Sequence, residues 1–141
     1  MRYVLITLVA AVIAVFNGCS SGMGYCTENP DEFCKDLLTK PGTREVMPWL
    51  KEGPNTLGEL PSNEDSVALA QEIYDAGAES VIGVEIDKDP SGENTGKLVI
   101  KLPKESALRN RVLNWAAGIA HSQGFEAYTD VGQDYVFVML D

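Results

Sequence analysis

Lys97-Leu98-Val99-Ile100-Lys101-Leu102, closed by Pro103, is the stretch that decides how this chain folds. Leu98, Ile100 and Leu102 fall on one side and Lys97 and Lys101 on the other, the period-2 pattern of a strand with one face in a core. Upstream, residues 81–86 form a second strand with Ile82, Val84 and Ile86 on one face. Only a polar loop, residues 87–96, separates the two, so they read as an antiparallel hairpin. Downstream of Pro103, residues 105–123 read as the longest helix, with Leu108, Val112, Trp115, Ala116 and Ile119 on a continuous apolar face and Gly124 as its stop.

The last strand, residues 134–140, is apolar on both faces: Tyr135, Phe137 and Met139 on one, Val136, Val138 and Leu140 on the other. Such a strand should be covered on both sides. Residues 125–128 are a candidate short edge strand, joined to it by the turn Asp130-Val131-Gly132-Gln133. Before the hairpin, Pro61 and Ser62 open a helix in which Val67, Leu69, Ala70, Ile73 and Tyr74 recur at helical spacing. Ser62 and Asp65 resemble a capping box, and Gly77 is its stop. If residues 56–60 form a strand, the order β-α-β-β-α-β makes a ferredoxin-like α/β sandwich. Without it the expectation is a three-stranded α+β sandwich.

The chain before residue 55 has a different character. Asn29 as cap, Pro30 at the first helical position, and Asp31 and Glu32 at the positive dipole end start a helix that Lys40-Pro41-Gly42 ends. Phe33, Leu37 and Leu38 give that helix one apolar face. Val46, Met47, Trp49 and Leu50 form an apolar island suited to pack this arm onto the main domain, and Trp49 is also a candidate to grip a ligand. Gly53-Pro54 marks the boundary.

Further upstream, Met1 and Arg2 precede an apolar run over residues 3–16. At about 1.5 Å per residue that run falls well short of a membrane core of ~30 Å, so it has the layout of a signal peptide rather than of a spanning helix. Gly18-Cys19 at its end resembles the lipobox of bacterial lipoprotein precursors, with Phe16 and Asn17 where that pattern prefers Leu and a small residue. The resemblance covers some twenty residues and implies that Cys19 becomes the lipidated N-terminus. In a Gram-negative host Ser20 would then favour the outer membrane. A signal-peptidase cut after Gly22, giving a secreted or periplasmic protein, is the alternative. The expected organisation is therefore a signal peptide over 1–18, a flexible tether over 19–25, a helical arm over 26–54 and an α/β sandwich domain over 55–141.

Three cysteines, Cys19, Cys26 and Cys34, are an odd number for an exported chain. Lipidating Cys19 leaves Cys26 and Cys34 as a pair, whose disulfide would close a loop of about nine residues worth roughly 2 to 3 kcal/mol and staple the arm. Two free, packed thiols are the other reading.

Eleven Lys and Arg stand against 21 Asp and Glu, and losing Arg2 with the leader leaves 10 basic residues. Nucleic acid is disfavoured as a partner, since polyanion contacts need clustered Lys and Arg. A basic protein partner is favoured, or the charge serves solubility alone.

Chemistry-bearing motifs are few. Asp87, Asp89 and Ser91, followed by Gly92, reproduce the first half of a calcium-binding loop, with Glu93 or Asn94 as further oxygen donors. Leu98 occupies the twelfth position, where an EF-hand requires Glu, so only a weak calcium site is expected. His121 is the one histidine; on the last turn of its helix it suits the dipole without any catalytic partner nearby in sequence. Trp115, Tyr135 and Phe137 are candidates to line a ligand cleft. No nucleophile elbow, P-loop or dinucleotide motif occurs. The expectation is a non-enzymatic, lipid-anchored envelope protein that binds another protein, one form being an immunity-type protein against a basic toxin. A small-molecule or calcium-binding envelope sensor is the alternative, and a small hydrolase a third.

Overall fold

A computed structural model of the chain describes residues 30–141. The leader, Cys19, the tether, Cys26 and the Asn29 cap lie outside the described residues. In chain order the elements are α1 (Pro30–Leu38), β1 (Arg44–Glu45), α2 (Val46–Lys51), β2 (Thr56–Leu57), α3 (Asn63–Ala76), β3 (Ser80–Gly83), β4 (Asp87–Asp89), β5 (Gly92–Thr95), β6 (Lys97–Lys101), α4 (Ser106–Ser122) and β7 (Tyr135–Met139). The class is α+β.

β3 and β6 form the expected antiparallel hairpin, with Ser80 opposite Lys101 and Gly83 opposite Leu98. The four-stranded sheet runs β1-β3-β6-β7, antiparallel at every step. The ferredoxin-like arrangement is not realised: Thr56–Leu57 pairs instead with β5, in parallel, and belongs to a second sheet of order β2-β5-β4. The polar loop of residues 87–96 thus carries two strands, which pair as a small hairpin of their own. Thr95 joins the two sheets. Its Oγ1 donates to Val84 O at 2.6 Å and accepts the Lys97 N–H at 3.0 Å.

α2, α3 and α4 cover one face of the main sheet. Leu98, Ile100, Leu102, Val136, Val138 and Leu140 point there, against Trp49, Leu50, Ile73, Val112 and Ala116. On the opposite face a smaller cluster gathers Cys34 and Leu37 of α1 with Val84, Val99 and Phe137. β7 is therefore sandwiched, as its two apolar faces require. Val99 shares the outward side with Lys97 and Lys101, and α1 buries it. Ile82 and Val84 lie on the α1 side, whereas Ile86 packs with the main core. Between them Glu85 has φ 49°, which reverses the side the chain presents.

Local signals account for the helix ends. Ser62 caps α3, its Oγ accepting the Asp65 N–H at 3.1 Å, and Gly77 closes it at φ 121°, donating to Tyr74 O at 2.9 Å. The apolar island is a buried helix: Val46, Trp49 and Leu50 of α2 are fully enclosed. Asn55, in the stretch expected as a boundary, is buried and donates to Trp49 O at 2.7 Å while accepting the Glu93 N–H at 3.2 Å. Residues 125–128 do not form a strand. The Tyr128 hydroxyl donates to Phe137 O of β7.

Candidate functional site

Alternation along β4 puts the Asp87 and Asp89 side chains on one side of the strand. They do different things. Asp89 folds back over the β4–β5 turn, where its Oδ1 accepts the Ser91 N–H at 2.7 Å and the Ser91 hydroxyl. Those bonds hold its carboxyl below the ordinary range. Ser91 is thus bonded into the turn. Glu93 is turned elsewhere, accepting the ring N–H of Trp49 at 2.7 Å, with Lys88 Nζ 3.3 Å away. The Trp49 bond is the first cause of its lowered pKa. Asn94 spends its amide N–H groups on Thr56 Oγ1 and Gly58 O, both at 2.9 Å. Among the described residues, no three His, Cys, Asp or Glu side chains converge as metal ligands.

Asp87 faces a cleft of about 370 Å³ between the ends of the two sheets. Glu85, Lys97 and Asp141 bring the charge to its walls, and Met139 and Leu140 the apolar surface. The Lys97 ammonium pairs with the Glu85 carboxylate. The floor is backbone: Leu140 N–H donates to Gly96 O at 2.6 Å, and a Cβ on Gly96 would stand 2.5 Å from Leu140 O. This arrangement offers carboxylate oxygens and a short apolar wall, which suits a small cationic group.

A second constellation lies at the other end of β7, in residues 129–134. Arg109 of α4 grips Asp130 with Nη2 2.7 Å from Oδ1 and Nε 3.0 Å from Oδ2. Asp130 Oδ1 also accepts the Gly132 N–H at 3.0 Å. The Arg109 bonds come first among the causes that hold the Asp130 carboxyl at about 2. Gln133, 6% exposed, fills the inside of the loop: Oε1 accepts the Val131 N–H at 2.9 Å, and Nε2 donates to Thr129 O at 3.2 Å. At the tip Val131 is 66% exposed, the one large apolar side chain so exposed among the described residues. The molecule thus holds this loop by side-chain bonds on both flanks and turns an apolar residue outward.

The remaining expectations fall into place around these two features. His121 stands exposed on the last turn of α4. Trp49 is wholly enclosed, so its ring can grip no ligand. Trp115 packs with the main core and Tyr135 and Phe137 with the small one, so the sheet stands between them and they line no common cleft. Cys34 is a buried free thiol, 1% exposed, and burial followed by the neighbouring Asp31 charge pushes its pKa up to about 12. Among the described residues no helix is long and apolar enough to cross a membrane.

Glu85, Arg109 and Val131 were not singled out in the sequence. Val131 carried a signal, since it is an apolar residue inside a polar, glycine-containing turn. Glu85 and Arg109 carried none, because each depends on a partner distant in the chain. No protein-family model, no curated protein and no solved structure matches this chain.

Proposed function

We propose that this chain is a lipid-anchored, non-enzymatic envelope protein whose folded body binds a basic protein partner, an immunity-type role against a cationic toxin being one form. The observation that supports this most is the loop of residues 129–134. Rigid presentation of an exposed apolar side chain lowers the ordering cost of association, and an apolar anchor within a polar rim is the usual anatomy of an interface. Here the exposed Asp134 makes the rim acidic, while the charge of Asp130 is met by Arg109. The charge balance of the whole chain agrees in sign. Opposite charge on the partner would speed encounter and select against acidic competitors.

In this reading Cys19 carries the lipid, the Cys34 thiol, free in the structure, is oxidised to a disulfide with Cys26 after export, and the outer membrane is the site in a Gram-negative host. Recovery of the native protein from envelopes in mild, non-reducing detergent, followed by intact mass, reads lipid and disulfide together. A mass that fits cleavage after Gly22 with no acyl chain overturns the anchor. For the partner, binding that weakens steeply as salt rises, and that Val131→Asp weakens some thirtyfold or more, supports the role. Binding indifferent to both removes it.

The cleft between the sheets favours a second reading, a small-molecule or calcium-binding sensor in which Asp87 meets a cation. Thermal stabilisation by small amines or by millimolar calcium, lost in Asp87→Asn, would support it. For calcium the Ser91 amide is the reporter, because its acceptor Asp89 would have to turn away. Hydrolysis through His121 gains no support from its exposed position.

A further inference from the structure

β7 is the outer strand of the main sheet, and its free edge is closed by side chains rather than by another strand. Asp134 O and Leu140 N–H bond across to Leu102 and Gly96, so the even-numbered residues of β7 turn their backbone groups to β6 and the odd-numbered ones turn theirs outward. On that outer side the Asp31 carboxylate accepts the Tyr135 N–H at 2.9 Å, Tyr128 donates to Phe137 O, and Gln123 Nε2 donates to Met139 O at 2.8 Å. Tyr128 and Gln123 belong to the α4–β7 connection, whereas Asp31 belongs to α1. The same helix also covers the apolar face of β7 through Cys34, Leu37 and an edge-to-face contact between Phe33 and Phe137, centroids 5.3 Å apart.

We infer that α1 is a detachable strap, which swings off β7 as a unit while the sheet and the three helices behind it stay folded, baring the Tyr135 edge and the Val99–Phe137 face together. None of its side chains reaches the main core. Only Cys34 and Leu37 of its nine residues are buried, and a helix of that length does not hold itself together in water. The pivot is built in. Residues 39–42 are exposed, and Gly42, at φ 74°, anchors the chain to the body by accepting the Ile86 N–H at 3.0 Å. Opening at such a segment draws on the low-stability end of the molecule, below the global transition. The device does not depend on the partner-binding role, since it rests on the contacts of α1 alone.

Native-state hydrogen exchange on the full chain, resolved by residue, tests it. The Tyr135 amide, bonded to Asp31, should exchange with the amides of Leu37 and Leu38 at least tenfold faster than those of Val136 and Val138, which sit on the same strand but face β6. Coupling should be reciprocal: Leu37→Ala, which leaves the Asp31–Tyr135 bond its partners, speeds the Tyr135 amide about tenfold, and Asp31→Ala does the same for Leu37 and Leu38. Val136 and Val138 stay within about twofold. If α1 and Tyr135 exchange at the rate of Val136 and Val138, or if both variants speed all of these amides alike, α1 is part of the global unit and the strap is wrong. If Tyr135 is fast while Leu37 and Leu38 are slow, the edge merely frays and the strap is equally wrong. Should either variant fail to fold, the comparison within the wild-type chain decides.

Discussion

Arg109 on α4 holds Asp130 in a two-pronged grip, with Nη2 2.7 Å from Oδ1 and Nε 3.0 Å from Oδ2. The pair spans the connection between α4 and β7, and with Gln133 it gives the loop one shape. A carboxyl held at about 2 in the folded chain against about 3.8 when unfolded adds stability that is complete above pH 4 and is lost as pH falls through 2. Thermal unfolding followed between pH 2 and 5 should show this as a drop in Tm on acidification. Arg109→Ala should remove the part of that drop owed to Asp130, so that the wild-type and variant curves converge towards pH 2. Parallel curves would mean that the grip contributes nothing in solution.

Ser66 is wholly buried, and its hydroxyl is used twice. It accepts the Leu57 N–H at 2.9 Å and donates to Ser62 O at 3.1 Å. The first of these bonds fastens β2 to α3. Ser66→Ala leaves the Leu57 N–H enclosed without a partner, which costs about 1 to 3 kcal/mol. Urea unfolding should show a lower midpoint with an unchanged slope. Ser62→Ala, by contrast, removes an exposed cap, and the expected loss is about 1 kcal/mol.

What could be read from the chain alone follows from the range of the interaction. Periodicity placed the β3–β6 hairpin, α3, α4 and β7, because each is a local pattern with local stop signals such as Gly77. The two apolar faces of β7 announced a layer on each side, and α1 supplies the second. Pairing across distance was not legible. Thr56–Leu57 looks like the first strand of a sandwich, yet it joins Asn94 and Thr95, and nothing in its two residues names that partner. Trp49 gave no sign that its ring N–H meets Glu93, 44 residues away. The calcium-like run of residues 87–92 also serves as turn chemistry, with Asp89 accepting the Ser91 N–H, since Asp, Ser and Gly suit tight hairpins as readily as ions. Oxygen-rich spacing alone does not distinguish the two uses.

Gly96 is the hinge between the second sheet and the first, where space rather than conformation requires glycine. A Cβ there would lie 2.5 Å from Leu140 O, a backbone atom of the residue whose N–H donates to Gly96 O at 2.6 Å. Gly96→Ala should therefore destabilise by about 1 to 3 kcal/mol. The strain should appear first at the end of β7, so that amide shifts spread over Met139, Leu140 and the cleft wall at Lys97 while α3 and α4 keep theirs. A stability equal to the wild type would show that the two sheets part more easily than their packing implies.

Val131 separates stability from binding. With two thirds of its surface in water it adds almost nothing to the core, and Val131→Asp should shift the unfolding midpoint by no more than about 0.5 kcal/mol. The backbone of the loop is held by Gln133 and Asp130 whatever side chain sits at the tip. If Val131 is the anchor of an interface with a basic protein, the same substitution should weaken that complex by about 2 kcal/mol or more, some thirtyfold in Kd. Gln133→Ala should weaken it as well, by loosening the loop, but at a visible cost in stability. Titration of the purified pair at two salt concentrations distinguishes the contributions. The loss from Val131→Asp should persist at high salt, where attraction between the acidic rim and the partner is screened. A loss that vanishes at high salt would mean that the new carboxylate is repelled by an acidic surface, which overturns the basic partner and leaves the apolar tip without a role.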